Sequence, residues 1–166
     1  MKKILFAAMA LFAFSAVQAQ KAALNGNGVG GYFEFGDVYD CKHYIDGSTR
    51  FHNIELTSSC GYHILPYLYA GAGVGISYFI QDGAEFYLPV YASVRGTLPM
   101  RKNMWLFVDG KAGYGFNLTK SEFSGVYWTP SIGFGINRYY TSVGYVAQYR
   151  STYCLNGISV RFGIRL

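Results

Sequence analysis

Charge is scarce in this sequence. Of its 166 residues only 14% are Asp, Glu, Lys or Arg. Disordered chains are charge-rich and poor in aromatics, so that class is excluded. Basic runs are short too: beyond the first twenty residues none exceeds Arg101-Lys102, which excludes nucleic acid as a partner. Histidine is confined to His43, His52 and His63, without a tight cluster, so neither a metal site nor a cofactor is expected. Good helix formers are sparse, and 21 Gly and 16 Tyr take their place. Both are weak in helices, which disfavours a helical bundle. One stretch, Gly61 to Ile80, lacks every charged residue, yet Pro66, Gly71, Gly73 and Gly75 interrupt it as a helix. What the chain does have is aromatic residues, at 19%, and a mean hydropathy of +0.14. That value is high for a soluble domain and low for a helical membrane protein. It suits a sheet with one face in lipid and the other out of it.

The N-terminus has its own grammar. Met1-Lys2-Lys3 is basic, Ile4 to Phe14 is apolar, and Val17 and Ala19 offer small residues at the positions a signal peptidase reads. The pattern predicts a signal peptide over 1–19 and one exported domain over 20–166. No Cys follows the cleavage site, so a lipoprotein anchor is not expected. Removing Lys2 and Lys3 leaves 12 basic against 9 acidic residues, a net of +3.

Beyond that point the chain alternates with a period of two, the mark of strands whose faces meet different surroundings. From Tyr67, one parity is Tyr67, Tyr69, Gly71, Gly73, Gly75 and Ser77; the other is Leu68, Ala70, Ala72, Val74, Ile76 and Tyr78. The pattern predicts eight strands, near 28–36, 51–62, 67–80, 85–98, 104–116, 126–137, 140–150 and from Ile158 to Leu166. Most reach the roughly 9–11 residues that a tilted strand needs to cross a membrane. Their apolar parity is aliphatic and aromatic. The opposite parity carries charges, Tyr and Gly, which suits a narrow lumen filled by side chains. Joins near 63–66, 99–103 and 137–139 are tight. Those near 37–48 and 117–124 are long and polar, and 81–84 and 151–155 fall on the same side as these. The fold class expected is all-β: an eight-stranded antiparallel up-and-down transmembrane β-barrel with both termini on the tight-turn side. A soluble, lipocalin-like barrel is the structural rival.

These features resemble the small eight-stranded outer-membrane barrels, such as the outer-membrane protein A transmembrane domain and outer-membrane proteins X and W. The phrases Tyr87-Leu88-Pro89-Val90-Tyr91, Phe107 to Tyr114, Pro130 to Gly135 and Gly157 to Gly163 resemble the porin-like barrel family common in Bacteroidota. The resemblance covers the chain from about residue 26 onward. Its motifs are compositional and bear on fold and location more than on function. It implies the outer membrane of a Gram-negative bacterium, with outer-membrane lipids and lipopolysaccharide as surroundings. The last strand also looks like the signal read by the barrel-assembly machinery, although it ends in Leu166 rather than Phe.

Four sets of residues are candidates for chemistry. Glu34, Glu55, Glu85, Arg95, Asp109, Lys111 and Arg161, with Arg150 and Arg165, share the luminal parity. Unpaired charge in a low-dielectric lumen is costly, so an ion-pair network is expected; a gated polar pathway is its rival. Tyr62, Tyr78, Phe86, Tyr114 and Trp128 are expected in an aromatic girdle at the membrane interface, while Tyr39, Tyr44, Phe123, Tyr127 and Tyr153 are candidates for a binding platform on the outer loops, for an extracellular ligand that the residues do not name. Acyl-transfer chemistry would need His beside Ser and an acid. Only His43, Asp46 and Ser48 come near that pattern, and no enzyme activity is expected. Three cysteines are an odd count in an oxidising compartment. In a closed barrel the first and last loops are neighbours, so a Cys41–Cys154 disulfide is expected, with Cys60 free and facing lipid. The function expected is envelope integrity or surface binding and adhesion; a narrow channel and a lipid A-modifying enzyme remain alternatives.

Overall fold

A computed structural model describes residues 28–40, 52–80, 85–101, 103–118, 124–150 and 154–166. Eight strands follow one another: β1 (Val29–Asp40), β2 (His52–Leu65), β3 (Leu68–Phe79), β4 (Glu85–Arg101), β5 (Met104–Asn117), β6 (Gly125–Ile136), β7 (Tyr139–Arg150) and β8 (Cys154–Arg165). Each pairs antiparallel with the next, and β1 pairs with β8 from Tyr32↔Arg165 to Asp40↔Gly157, closing the barrel. Closure leaves no strand edge unpaired.

The alternation read from the sequence resolves into inside and outside. On β5, Trp105, Phe107, Asp109 and Lys111 point inward and are buried, while Leu106, Val108 and Ala112 point outward and are exposed. The outward set around the barrel includes Val94, Ile132, Val143 and Phe162, each more than half exposed. A chain that leaves its aliphatic side chains outside and buries Glu, Asp, Lys and Arg is turned inside out relative to a water-soluble domain.

Several expected boundaries shift. β1 does not end near residue 36 but runs on to Asp40, through what the polar residues suggested was loop. The ladder continues on both sides there, with Tyr39 paired to His52 and to Ile158. β2 likewise runs past Tyr62 to Leu65, so the turn narrows to Pro66-Tyr67. β4 runs three residues beyond Leu98 to Arg101, and Pro99 pairs with Trp105. β8 begins at Cys154, inside the expected last loop, because Tyr149 and Gln148 pair with Cys154 and Leu155. Two prolines inside strands explain two interruptions. Proline has no N–H to give a ladder. The β3–β4 pairing skips from Val74↔Val90 to Ser77↔Tyr87 around Pro89, and the β6–β7 pairing skips from Trp128↔Ala147 to Ser131↔Gly144 around Pro130.

Glycine makes room for the lumen's large side chains. A Cβ on Gly115 would fall on the Tyr87 ring, one on Gly135 on Trp105, and one on Gly163 on Tyr140. Each ring lies across the bare backbone of a neighbouring strand. At the β6–β7 turn, Asn137 takes φ 56°, the left-handed conformation that Asn tolerates better than most residues.

Candidate functional site

The lumen holds three layers. Nearest the tight turns, Tyr32, Tyr69, Trp105, Phe107 and Tyr140 form a buried aromatic cluster. Tyr32 meets Tyr69 edge-on with ring centroids 4.9 Å apart, and Phe107 meets Tyr140 likewise at 5.2 Å. At the other end, Val38, Phe79, Tyr87, Tyr91, Tyr127 and Val146 form a second cluster. Between them lie the buried charges.

Glu34 of β1 collects four donors. Arg95 Nη2 donates to its Oε1 at 2.7 Å and the Tyr140 hydroxyl at 2.8 Å; Lys111 Nζ and Thr57 Oγ1, at 3.1 Å, donate to its Oε2. Arg95 also reaches Asp109 through Nε at 3.4 Å, and Ser93 Oγ donates to the same carboxylate at 3.2 Å. The Arg95 guanidinium lies over three rings, 3.8 Å from the Tyr32 centroid, 4.3 Å from Phe107 and 4.8 Å from Tyr140. Such stacking is favourable where the cation is desolvated. A second centre forms at Glu55. Arg161 Nη2 donates to it at 2.8 Å and Nε at 3.3 Å, while the Tyr127 hydroxyl donates at 2.9 Å. Three carboxylates thus face three cations. Each of these six residues is at most 5% exposed.

The luminal residues singled out from the sequence divide accordingly. Glu34, Arg95, Asp109 and Lys111 come together in one centre, and Glu55 and Arg161 in another. Glu85 lies apart from both, at the start of β4, where it accepts from Asn117 Nδ2 at 3.1 Å. Arg165 stands at the tight-turn rim rather than among the buried charges.

Tyr127 corrects the loop-aromatic expectation. β6 begins at Gly125, so Tyr127 already stands inside the ladder, paired with Gly113 and Gln148, and its ring is fully buried. Tyr39 is exposed as expected but belongs to a strand, where it stacks on His52 at 5.2 Å. His52 Nε2 is 2.6 Å from Asp37 Oδ1 on the same outward face, an arrangement the sequence did not signal because Asp37 read as loop. Tyr44, Phe123 and Tyr153 lie outside the described residues, as do Cys41 and the trio His43, Asp46 and Ser48; of Cys154 only the backbone pairing is described. Cys60 is a free thiol on the outward face of β2, half-buried. Tyr62, Tyr78, Phe86, Tyr114 and Trp128 are all exposed on the outside.

Sequence reasoning missed the neutral partners of the network: Thr57, Ser77, Ser93, Tyr127 and Tyr140. Their signal was luminal parity combined with a hydroxyl, visible strand by strand. Which hydroxyl reaches which carboxylate depends on the stagger between distant strands. Among the described residues, no three His, Cys, Asp or Glu side chains stand close enough to hold a metal ion.

No protein-family model matches the chain, and no curated protein matches it. Solved structures share its fold. Neisserial surface protein A is 11% identical, with 86% of this chain and 97% of that one covered and a TM-score of 0.57. The N-terminal β-barrel domain of OprF from Pseudomonas aeruginosa is 9% identical, with 84% and 98% covered and a TM-score of 0.51. Both are eight-stranded outer-membrane β-barrels. At these identities the likeness is one of fold.

Proposed function

We propose that this chain is a non-enzymatic outer-membrane β-barrel of a Gram-negative bacterium, closed to solutes, that supports envelope integrity or surface binding and adhesion through its longer loops. One observation carries the proposal: the aliphatic side chains are outside and the charges are neutralised inside. Lipid rewards that arrangement and water penalises it. Closure also satisfies every strand edge, the condition for a sheet in a bilayer. The pattern over 1–19 directs export, the barrel-assembly machinery inserts the last strand, and lipopolysaccharide surrounds the loop side. Kinship to the porin-like barrels of Bacteroidota rests on the phrases quoted above. Layered rings and paired charges fill the lumen and favour a sealed barrel over the alternative of a narrow channel.

The test is a gel of the detergent-extracted membrane fraction, run boiled and unboiled, followed by planar-bilayer recording. A heat-dependent mobility shift without conductance steps is expected. Recovery in the soluble fraction without a shift overturns the membrane assignment, and discrete steps favour the channel. A changed lipid A acyl mass on overexpression would favour the enzyme. A non-reducing peptide map that places Cys60 in a disulfide would refute the Cys41–Cys154 pairing.

A further inference from the structure

Charge is sorted along the barrel axis. The six buried luminal charges cancel, three against three. The remaining acids, Asp37, Asp40, Asp46, Asp82, Glu85 and Glu122, all fall in the loop connections or at the loop ends of strands, together with Lys42, Arg50, Lys120 and Arg150. The tight-turn end is different. Arg101 ends β4, Lys102 follows it in the chain, Arg138 lies in the β6–β7 turn and Arg165 ends β8. No acidic side chain belongs to that end.

Backbone hydrogen bonds join the β4–β5 turn, the β6–β7 turn and the end of β8 into one arc of rim. Asn137 N–H donates to Asn103 O at 2.7 Å, linking the β6–β7 turn to the β4–β5 turn. Arg165 N–H donates to Arg138 O at 2.7 Å, linking that turn to the end of β8. The Arg138 side chain is exposed, and neither it nor Arg165 forms an ion pair with a described carboxylate. Tyr67, in the β2–β3 turn, and Tyr139, beside Arg138, are among the most exposed aromatics of the barrel, at 56% and 68%. Rings of this kind settle at headgroup depth, and cations placed beside them meet the lipid phosphates.

We propose that the arc carrying Arg138 and Arg165 is a docking surface for the headgroups of anionic phospholipid in the leaflet at the tight-turn end. Charge complementarity selects the occupant: a rim with cations and no acidic side chain favours a negatively charged headgroup over a zwitterionic one. The inference rests on the membrane-spanning arrangement proposed above.

The folded protein is placed in micelles doped with equal phosphatidylglycerol and phosphatidylcholine, and bound lipids are counted by native mass spectrometry. Attraction of about 1 kcal/mol per surface cation corresponds to about fivefold preference, so at least that excess of phosphatidylglycerol is expected. It should fall to near parity in R138Q/R165Q, and should survive in K42Q/R50Q/K120Q, which alters the loop end. If that rim variant shows no heat-dependent mobility shift, R138Q alone replaces it, with at least a halving of the preference expected. Equal binding of both lipids by the native chain, an unchanged preference in the rim variants, or its loss in the loop variant overturns the proposal. Insertion into vesicles is scored separately by the mobility shift. A chain that fails to insert refutes the membrane assignment itself, whereas one that inserts without lipid preference refutes only the docking surface.

Discussion

Glu34 accepts from Arg95, Lys111, Thr57 and Tyr140, residues carried by four other strands. Replacing it with Gln keeps the shape and removes the charge. Arg95 and Lys111 would then share Asp109 alone. Breaking a buried ion pair by removing one partner costs about 3–5 kcal/mol, because a charge is left uncompensated. Glu34→Gln is therefore expected to lower the temperature at which the unboiled band is lost, and a second change, Lys111→Met, should recover part of that loss. If the double variant is no better than the single one, local charge balance is not what holds the lumen. The membership of this centre was half legible in the sequence. Luminal parity places Glu34, Arg95, Asp109 and Lys111 in one compartment, but parity carries no height. Height comes from the stagger of strands, which brings Tyr140 of β7 to Glu34 of β1 and leaves Glu85 at the loop end.

Between elements, the decisive pairing is ring against bare backbone. Tyr87 of β4 lies over Gly115 of β5, and a Cβ there would overlap the ring. Gly115→Val should cost about 1–3 kcal/mol, the usual range for overpacking. Shortening the ring as well, in Gly115→Val with Tyr87→Ala, should relieve the clash. Melting of the two variants compared with Tyr87→Ala alone measures the coupling; additive effects would mean that the glycine is there for another reason. The eight strands themselves were legible, since a period of two survives wherever the two faces meet unlike surroundings. Their ends were less so. Asp37 and Asp40 read as loop residues, yet β1 continues because β2 and β8 both extend alongside it. Pro99 read as a stop, yet β4 carries it to Arg101. Ladder partners contributed by other parts of the chain decided both, and no local signal reports them.

For the molecule as a whole, the outward face makes the sharpest demand on its surroundings. Val108 and Ile132 are 59% and 62% exposed near the middle of their strands. On a barrel in water, Val108→Arg would change stability by no more than about 0.5 kcal/mol. In a bilayer the same change costs about 2–4 kcal/mol near the midplane. A chemical unfolding midpoint measured in lipid vesicles should move accordingly, while Leu118→Arg, beyond the end of β5, should move it far less. Equal tolerance at both positions would argue for an aqueous exterior. This inversion was the most legible property of the sequence, because it depends on composition and parity alone.

The seam between β1 and β8 sets an order in time as well as in space. Seven of the eight ladders join strands that follow one another along the chain, so each can form as its second strand arrives. The eighth must wait: Tyr32 has to meet Arg165, and the Leu166 N–H donates to Gly31 O at 2.9 Å. Until β8 is delivered, the free edge of β1 remains open along its whole length, as does the free edge of β7. An emerging chain therefore passes through a stage with a wide sheet, two unsatisfied edges and an apolar face. It is most vulnerable to pairing with another copy just before it is complete, and a chain cut short of Cys154 is held at that stage.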